Sequence, residues 1–228
     1  MNVFLKFNRG VKAFRVAIIF GLLAFGSIGF AYQSLISTGD MLSPGQYGAS
    51  LETQFVTQNN SGANLVGRFD GAYSRDLNYR AELGFGSTDF HASGMVKWIP
   101  FPDVDKQPAI GLMGGLGYAQ YDDNSEVSLK AYPLISKRFI VDIGEIVPYA
   151  SLPIGIRSYG GETLVPVQFT AGSELKTLYF KDLTFFAEIG FNLSNSFSYI
   201  SFAALYRFGD STDSVGNGTT GGDVSGFN

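Results

Sequence analysis

The chain predicts an all-β fold, a single closed antiparallel transmembrane β-barrel of about ten strands, with eight or twelve as alternatives. Three observations predict it. The segment Phe197 to Phe208 alternates strictly, with Ile200, Phe202, Ala204, Tyr206 and Phe208 on one face and Tyr199, Ser201, Ala203, Leu205 and Arg207 on the other. That pattern belongs to a strand with one face in an apolar medium. The pattern recurs many times upstream, and the chain has no cysteine at all. The first 31 residues read as a secretory leader.

In that leader, Lys6, Arg9, Lys12 and Arg15 form a basic n-region, Val16 to Ile28 is apolar, and Gly29-Phe30-Ala31 supplies the small residues of a cleavage site. The apolar run is short beside the about 20 residues of a transmembrane helix. Residues 1–31 are therefore expected to be a signal peptide cut after Ala31, with a retained N-terminal anchor as the alternative. Cleavage leaves twelve basic residues against twenty acidic ones, a net charge of −8. Such a balance argues against nucleic acid, whose phosphates call for clustered Lys and Arg. Zero Cys excludes disulfides, thiolate metal sites, Cys nucleophiles and a lipid anchor on a leading Cys.

Residues 32–45 show no sustained period and read as a lead-in. Strand candidates follow at 46–57, 63–73, 78–87, 90–99, 108–121, 126–136, 146–158, 163–175, 183–193 and 197–208. Most match the about 9–11 residues of a tilted strand crossing a bilayer. Turn chemistry separates them, as in N-N-S-G at 59–62, Y-G-G-E at 159–162 and S-N-S at 194–196. Pro133, Pro153 and Pro166 fall inside candidates and predict bulges or frayed pairing there, because proline donates nothing to a ladder. The barrel is thus expected over 46–208. Residues 209–228, rich in Gly, Ser, Thr and Asp, are expected to form a disordered tail.

Parity assigns the faces. Outward rows include Tyr79, Ala81, Leu83 and Phe85; Ile110, Leu112, Leu116 and Tyr118; and Leu183, Phe185, Ala187, Ile189 and Phe191. Ile189→Arg should therefore be harmful, and Gly190→Ser on the opposite face much milder. Inward rows carry Glu52, Arg68, Asp70, Arg80, Glu82, Lys97, Lys130, Arg157, Glu174, Glu188 and Arg207. Near balance of sign predicts a salt-bridged lumen rather than the single-sign ring of a selective pore. Glu52, Arg68 and Glu82 fall near mid-height on consecutive strands. A soluble lipocalin-like barrel is the alternative, with the polarity reversed.

Aromatic residues gather near strand ends, with Tyr73, Tyr79, Trp98, Tyr132, Tyr149, Tyr206 and Phe208 toward one rim. Phe55, Phe85, Phe90, Tyr118, Phe191 and Phe197 lie toward the other. Two girdles at headgroup level are the expectation. The longer links, including 100–107 and 137–145, fall at the rim that would face the periplasm, where a periplasmic partner could dock.

Residues 46–208 resemble the small outer-membrane β-barrels of Gram-negative bacteria, the group that includes OmpA-type and OmpW-type barrels. The resemblance rests on the leader, the alternating strands and the ending Leu205-Tyr206-Arg207-Phe208. It implies that Tyr206 and Phe208 are the signal read by the barrel-insertion machinery, although here 20 residues follow it. It also implies outer-membrane lipids as surroundings and export to the outer membrane. An envelope role or a narrow conduit for small solutes is the functional expectation, with no catalysis and no cofactor.

The catalytic alternative is lipid acyl hydrolysis. His91 and Ser93 share a strand face, and an H-x-S pair resembles that of outer-membrane phospholipase A and lipid A deacylase barrels, with Asp105 as orienter. In those families the pair faces lipid, whereas parity here turns it to the lumen. The acidic groups Asp103 with Asp105, and Asp122, Asp123 and Glu126, lack an EF-hand spacing and read as solvated turns. The glycines of G-x-x-G-G-x-G at 111–117 do not match a dinucleotide fingerprint.

Overall fold

The structure is a computed structural model that describes residues 34–57, 62–87, 89–121, 124–180 and 182–209. Residues 1–33, where the leader is expected, residues 210–228 of the expected tail and the tips of several turns lie outside the described residues.

Alternating segments pair into thirteen antiparallel strands and, among the described residues, no helix. They are β1 (Tyr47–Val56), β2 (Gly62–Ala72), β3 (Leu77–Gly86), β4 (Phe90–Phe101), β5 (Ala109–Tyr121), β6 (Asn124–Ser136) and β7 (Phe139–Val141). Then come β8 (Gly144–Ser151), β9 (Ile154–Tyr159), β10 (Glu162–Leu164), β11 (Val167–Thr177), β12 (Leu183–Ser194) and β13 (Tyr199–Phe208). The ring closes where β1 pairs β13 along its whole length, from Tyr47 opposite Phe208 to Val56 opposite Tyr199.

Thirteen strands give ten staves, because three staves are each interrupted once. β8 and β9 keep one register against β6, with Ser151 opposite Leu134 and Ile154 opposite Ala131. They likewise keep one register against β11. The interruption is Leu152-Pro153. In the same way β10 continues into β11 across Val165-Pro166, and β6 continues into β7. The prolines do cluster on adjacent staves, with a bulge beside Pro166 where the β11–β12 register shifts between Val167 and Gln168, and elsewhere the pairing is patched rather than frayed. Leu152 N donates to the Pro133 carbonyl, Gln168 N to that of Pro153 and Gly155 N to that of Pro166. Since a proline removes a donor and not an acceptor, its carbonyl can still close the gap.

Parity holds around the ring. Outward side chains are large and apolar and stand in the open, among them Leu116 at 63 % exposure, Leu83 at 54 % and Phe202 at 55 %. Inward side chains are buried, and many are charged. The aromatic belts need correction. Tyr132, Tyr149 and Phe197 are not rim residues facing outward; they are buried inside the ring. Tyr132 and Tyr149 share parity with inward charges on their own staves, and Phe197, just ahead of β13, shares it with Ser201; that parity overrides height. Tyr79, Trp98, Tyr206, Phe208, Phe55, Phe85, Tyr118 and Phe191 do face outward. Tyr47, Phe69, Tyr206 and Phe208 form a ring cluster across the closing seam.

Because the strands alternate, the links 73–76 and 102–108, the 137–143 region that holds β7, and the connection from β11 to β12 share the rim that carries Tyr47 and Phe208. The short links sit at the far rim.

Candidate functional site

The lumen is filled by the chain itself. Ser34 to Thr38 are buried inside the ring, and the segment runs from mid-height to the Tyr47 rim before turning into β1. The barrel wall holds much of it by its backbone. Glu188 on β12 accepts from two successive amides, Leu35 N at 2.9 Å and Ile36 N at 2.7 Å. Arg80 on β3 donates to the carbonyls of Leu35 (2.7 Å) and Ile36 (3.1 Å). Lys97 on β4 donates to the carbonyls of Asp40 (2.6 Å) and Thr38 (3.3 Å). Gly39 N donates to Ser136 Oγ at 2.9 Å.

Glu188 is a buried carboxylate that needs no cation. Besides the two amides it accepts from Tyr149 Oη at 2.6 Å and Tyr199 Oη at 2.5 Å. Four donors answer the lone pairs of one buried carboxylate, the condition for keeping such a group out of water. Tyr149, expected at a rim, thus has a lumen role. The Tyr199 ring lies over Gly190, where an added Cβ would come within 2.1 Å of it. Gly190→Ser is therefore not a mild change, which corrects the sequence expectation.

Beside the segment stands a compact charge cluster. Arg68 Nε meets Glu82 Oε1 at 2.6 Å, and its Nη2 pairs with Glu52 Oε2; all three side chains are fully buried. Ser34 bridges the cluster, donating to Glu52 at 2.5 Å and accepting from Arg68 Nη2 at 2.8 Å. Ser201 Oγ also donates to Glu52. Asp70 pairs with Arg80 at 2.7 Å. Toward the Tyr47 rim, Glu174 accepts from Thr38 Oγ1 at 2.7 Å and pairs with Arg207 at 2.8 Å. Nearer the far rim, Arg157 pairs with Glu126 at 3.3 Å, and Lys130 is buried close by on the Glu126 face of β6. All eleven inward charges named from the sequence lie in the lumen.

Four further charges enter the site. Glu126 is not a solvated turn residue; it sits in β6 on the Lys130 face and is 2 % exposed. Lys176 and Asp40, which no sequence pattern singled out, form an ion pair at the segment's exit, and Arg138 joins it at 2.8 Å from Asp40. Burial pushes the Asp40 carboxyl up, but Lys176 and Arg138 outweigh it and hold the group at about 2.

His91, Ser93 and Asp105 are not assembled. His91 and Ser93 face the lumen, but the Ser93 hydroxyl donates to Glu82 at 2.9 Å, and neither His91 ring nitrogen has a hydrogen-bond partner among the described residues. Asp105 belongs to the link at the Tyr47 rim, while His91 lies near the far rim. Asp103 is engaged by Lys137 Nζ at 2.5 Å and Arg138 N at 2.7 Å. Slight burial pushes the Asp103 carboxyl up, and these two donors outweigh it and lower its pKa. Lys137 also donates to the carbonyls of Asp105 (2.5 Å) and Gln107 (3.2 Å), so the 102–108 and 137–143 links are tied together. No group of three or more potential metal ligands exists among the described residues.

Fold and lumen together define a class: closed ten-stave antiparallel barrels stoppered by their own chain. Neither a protein-family model nor a curated protein matches the sequence. Among solved structures, it is similar to an outer membrane channel from Pseudomonas putida F1, with 10 % identity and a TM-score of 0.46 over 78 % of this chain and 100 % of that one.

Proposed function

We propose that the protein is an integral outer-membrane barrel with a structural role in the envelope, its lumen closed by residues 34–41. One observation carries the membrane reading. Large apolar side chains occupy the outside of the ring and charges the inside, the reverse of a soluble barrel. A closed ring also satisfies its ladder hydrogen bonds without water, which a strand protein in lipid requires. Export through a cleaved leader, and recognition of Tyr206 and Phe208 by the insertion machinery, complete the reading. Both aromatic rings face outward beside the closing seam, where such a machine can reach them.

The interior supports a closed lumen over a wide pore, since charged groups of both signs are engaged with each other and with the segment. A narrow small-solute conduit exists only when the segment leaves. The tied links 102–108 and 137–143 offer the surface for a periplasmic partner. Lipid acyl hydrolysis at His91 and Ser93 finds no support in a serine committed to Glu82 inside the lumen.

The test is fractionation with gel migration. The protein should separate with the outer membrane and run differently before and after boiling. Recovery as a soluble periplasmic monomer refutes the reading. In a planar bilayer the wild-type protein should be silent; steady conductance would replace the structural role with a transport one.

A further inference from the structure

The segment in the lumen is recognised in an unusual way. Seven of its contacts, from Glu188, Arg80, Lys97 and Ser136, are to backbone N–H and C=O groups. Its side chains add the hydroxyls of Ser34 on Glu52 and Thr38 on Glu174, the Asp40 carboxylate on Lys176 and Arg138, and the buried Leu35 and Ile36, which pack in the core of the ring. Acceptors and donors are set along the wall in the order in which an irregular extended peptide presents their partners.

The segment is also held under strain. Ile36 sits at φ 37°, a left-handed conformation costly for a β-branched residue, and both its N–H and its C=O are clamped. Strain persists only where surroundings over-determine it, and it favours release when they loosen. At Gly39 the segment approaches the wall so closely that an added Cβ would lie 2.3 Å from Ala109 Cβ.

From these contacts we infer that the lumen is a binding site for an extended polypeptide segment with apolar side chains where Leu35 and Ile36 stand and a carboxylate where Asp40 stands, and that residues 34–41 occupy it as an exchangeable stopper. The inference rests on the barrel reading above. The ligand class follows from the chemistry: a carboxylate reading two adjacent amides and two cations reading carbonyls select a peptide backbone.

Gly39→Ala should wedge the stopper out against Ala109 while leaving every stave intact. The variant, checked for a folded barrel by its gel shift, should conduct in a planar bilayer. A synthetic peptide spanning Ser34 to Leu42 should then block it. The same peptide N-methylated at the Leu35 and Ile36 amides should block on the order of a hundredfold more weakly, the loss expected of two hydrogen bonds to a charged group. A second measurement covers a wedge that the barrel absorbs or that prevents folding. The chain has no cysteine, so Ser37→Cys in the otherwise natural protein gives one buried thiol. A charged thiol reagent should label it slowly, and faster when the free peptide is present to capture the lumen. Equal potency of methylated and unmethylated peptide overturns the inference, as does a folded Ser37→Cys variant whose thiol the peptide never renders reactive. Absence of a gel shift in the wild-type protein would instead sink the barrel reading itself.

Discussion

Arg68→Ala should cost about 3–5 kcal/mol, because it strands buried carboxylates rather than merely deleting a contact. Arg68 is the cation shared by Glu52 and Glu82, with its Nε at 2.6 Å from Glu82 and the whole trio fully buried. Truncation leaves Glu82 with the Ser93 hydroxyl at 2.9 Å and Arg80 Nη1 at 3.7 Å. Glu52 keeps the hydroxyls of Ser34 and Ser201. That residual support brings the expected loss toward the lower end, about 3 kcal/mol. Adding Glu82→Gln removes one stranded charge and should return about 1–2 kcal/mol of it, a coupling within the range of contacting residues. The assay is urea unfolding in detergent micelles, followed by the fraction of chain that keeps its folded migration without boiling and extrapolated linearly. A loss under about 1 kcal/mol would mean that water reaches the cluster and screens it. Strict additivity in the double variant would mean that Arg68 and Glu82 do not share a network.

Ile189→Arg, on the outward face, should cost about 2–4 kcal/mol or block insertion, as measured by the same gel shift. Gly190→Ser should also destabilise, by displacing the Tyr199 ring from Glu188, and Gly190→Ser with Tyr199→Phe should show whether that hydrogen bond is the reason. Glu188→Gln should loosen the stopper, since an amide brings its own N–H groups toward four existing donors; labelling of the thiol introduced by Ser37→Cys should accelerate. Asp40 supplies a pH dependence. Its folded pKa of about 2 lies below the ordinary 3.8, so its anchoring is complete above about pH 4 and is lost as pH falls toward 2. Labelling of the Ser37→Cys variant should rise over that window, and adding Asp40→Asn should give the faster rate at neutral pH and no such window.

The staves were legible because a barrel in an apolar medium writes its two faces as strict alternation. The joined span of β8 and β9 was readable as one strand across Pro153, since parity is kept through the break. The same parity would have turned Tyr132 inward with Lys130, Tyr149 with Arg157 and Phe197 with Ser201. Height along a strand says how near a rim a ring lies; only parity says which side it faces. Glu126 escaped for the same reason, its adjacency to Asp122 and Asp123 masking its phase with Lys130. The stopper was illegible for a different cause. A segment bound largely through its backbone, in an irregular conformation, carries no periodic side-chain pattern, and 34–45 shows none. Its written signal is Gly39, small enough to pass Ala109 where a side chain would collide.

The stopper also reverses the usual relation between order of synthesis and order of completion. Leu35 must find Glu188, 153 residues away along the chain, and Glu52 must find Ser201, 149 residues away. The earliest described residues can reach their seats only after the last two staves have been delivered, and β1 cannot be sealed to β13 with that segment left outside. Such distant closures are entropically slow. A chain released before β12 has neither a seat for its beginning nor a partner for its first stave, so assembly is gated on the arrival of the whole polypeptide.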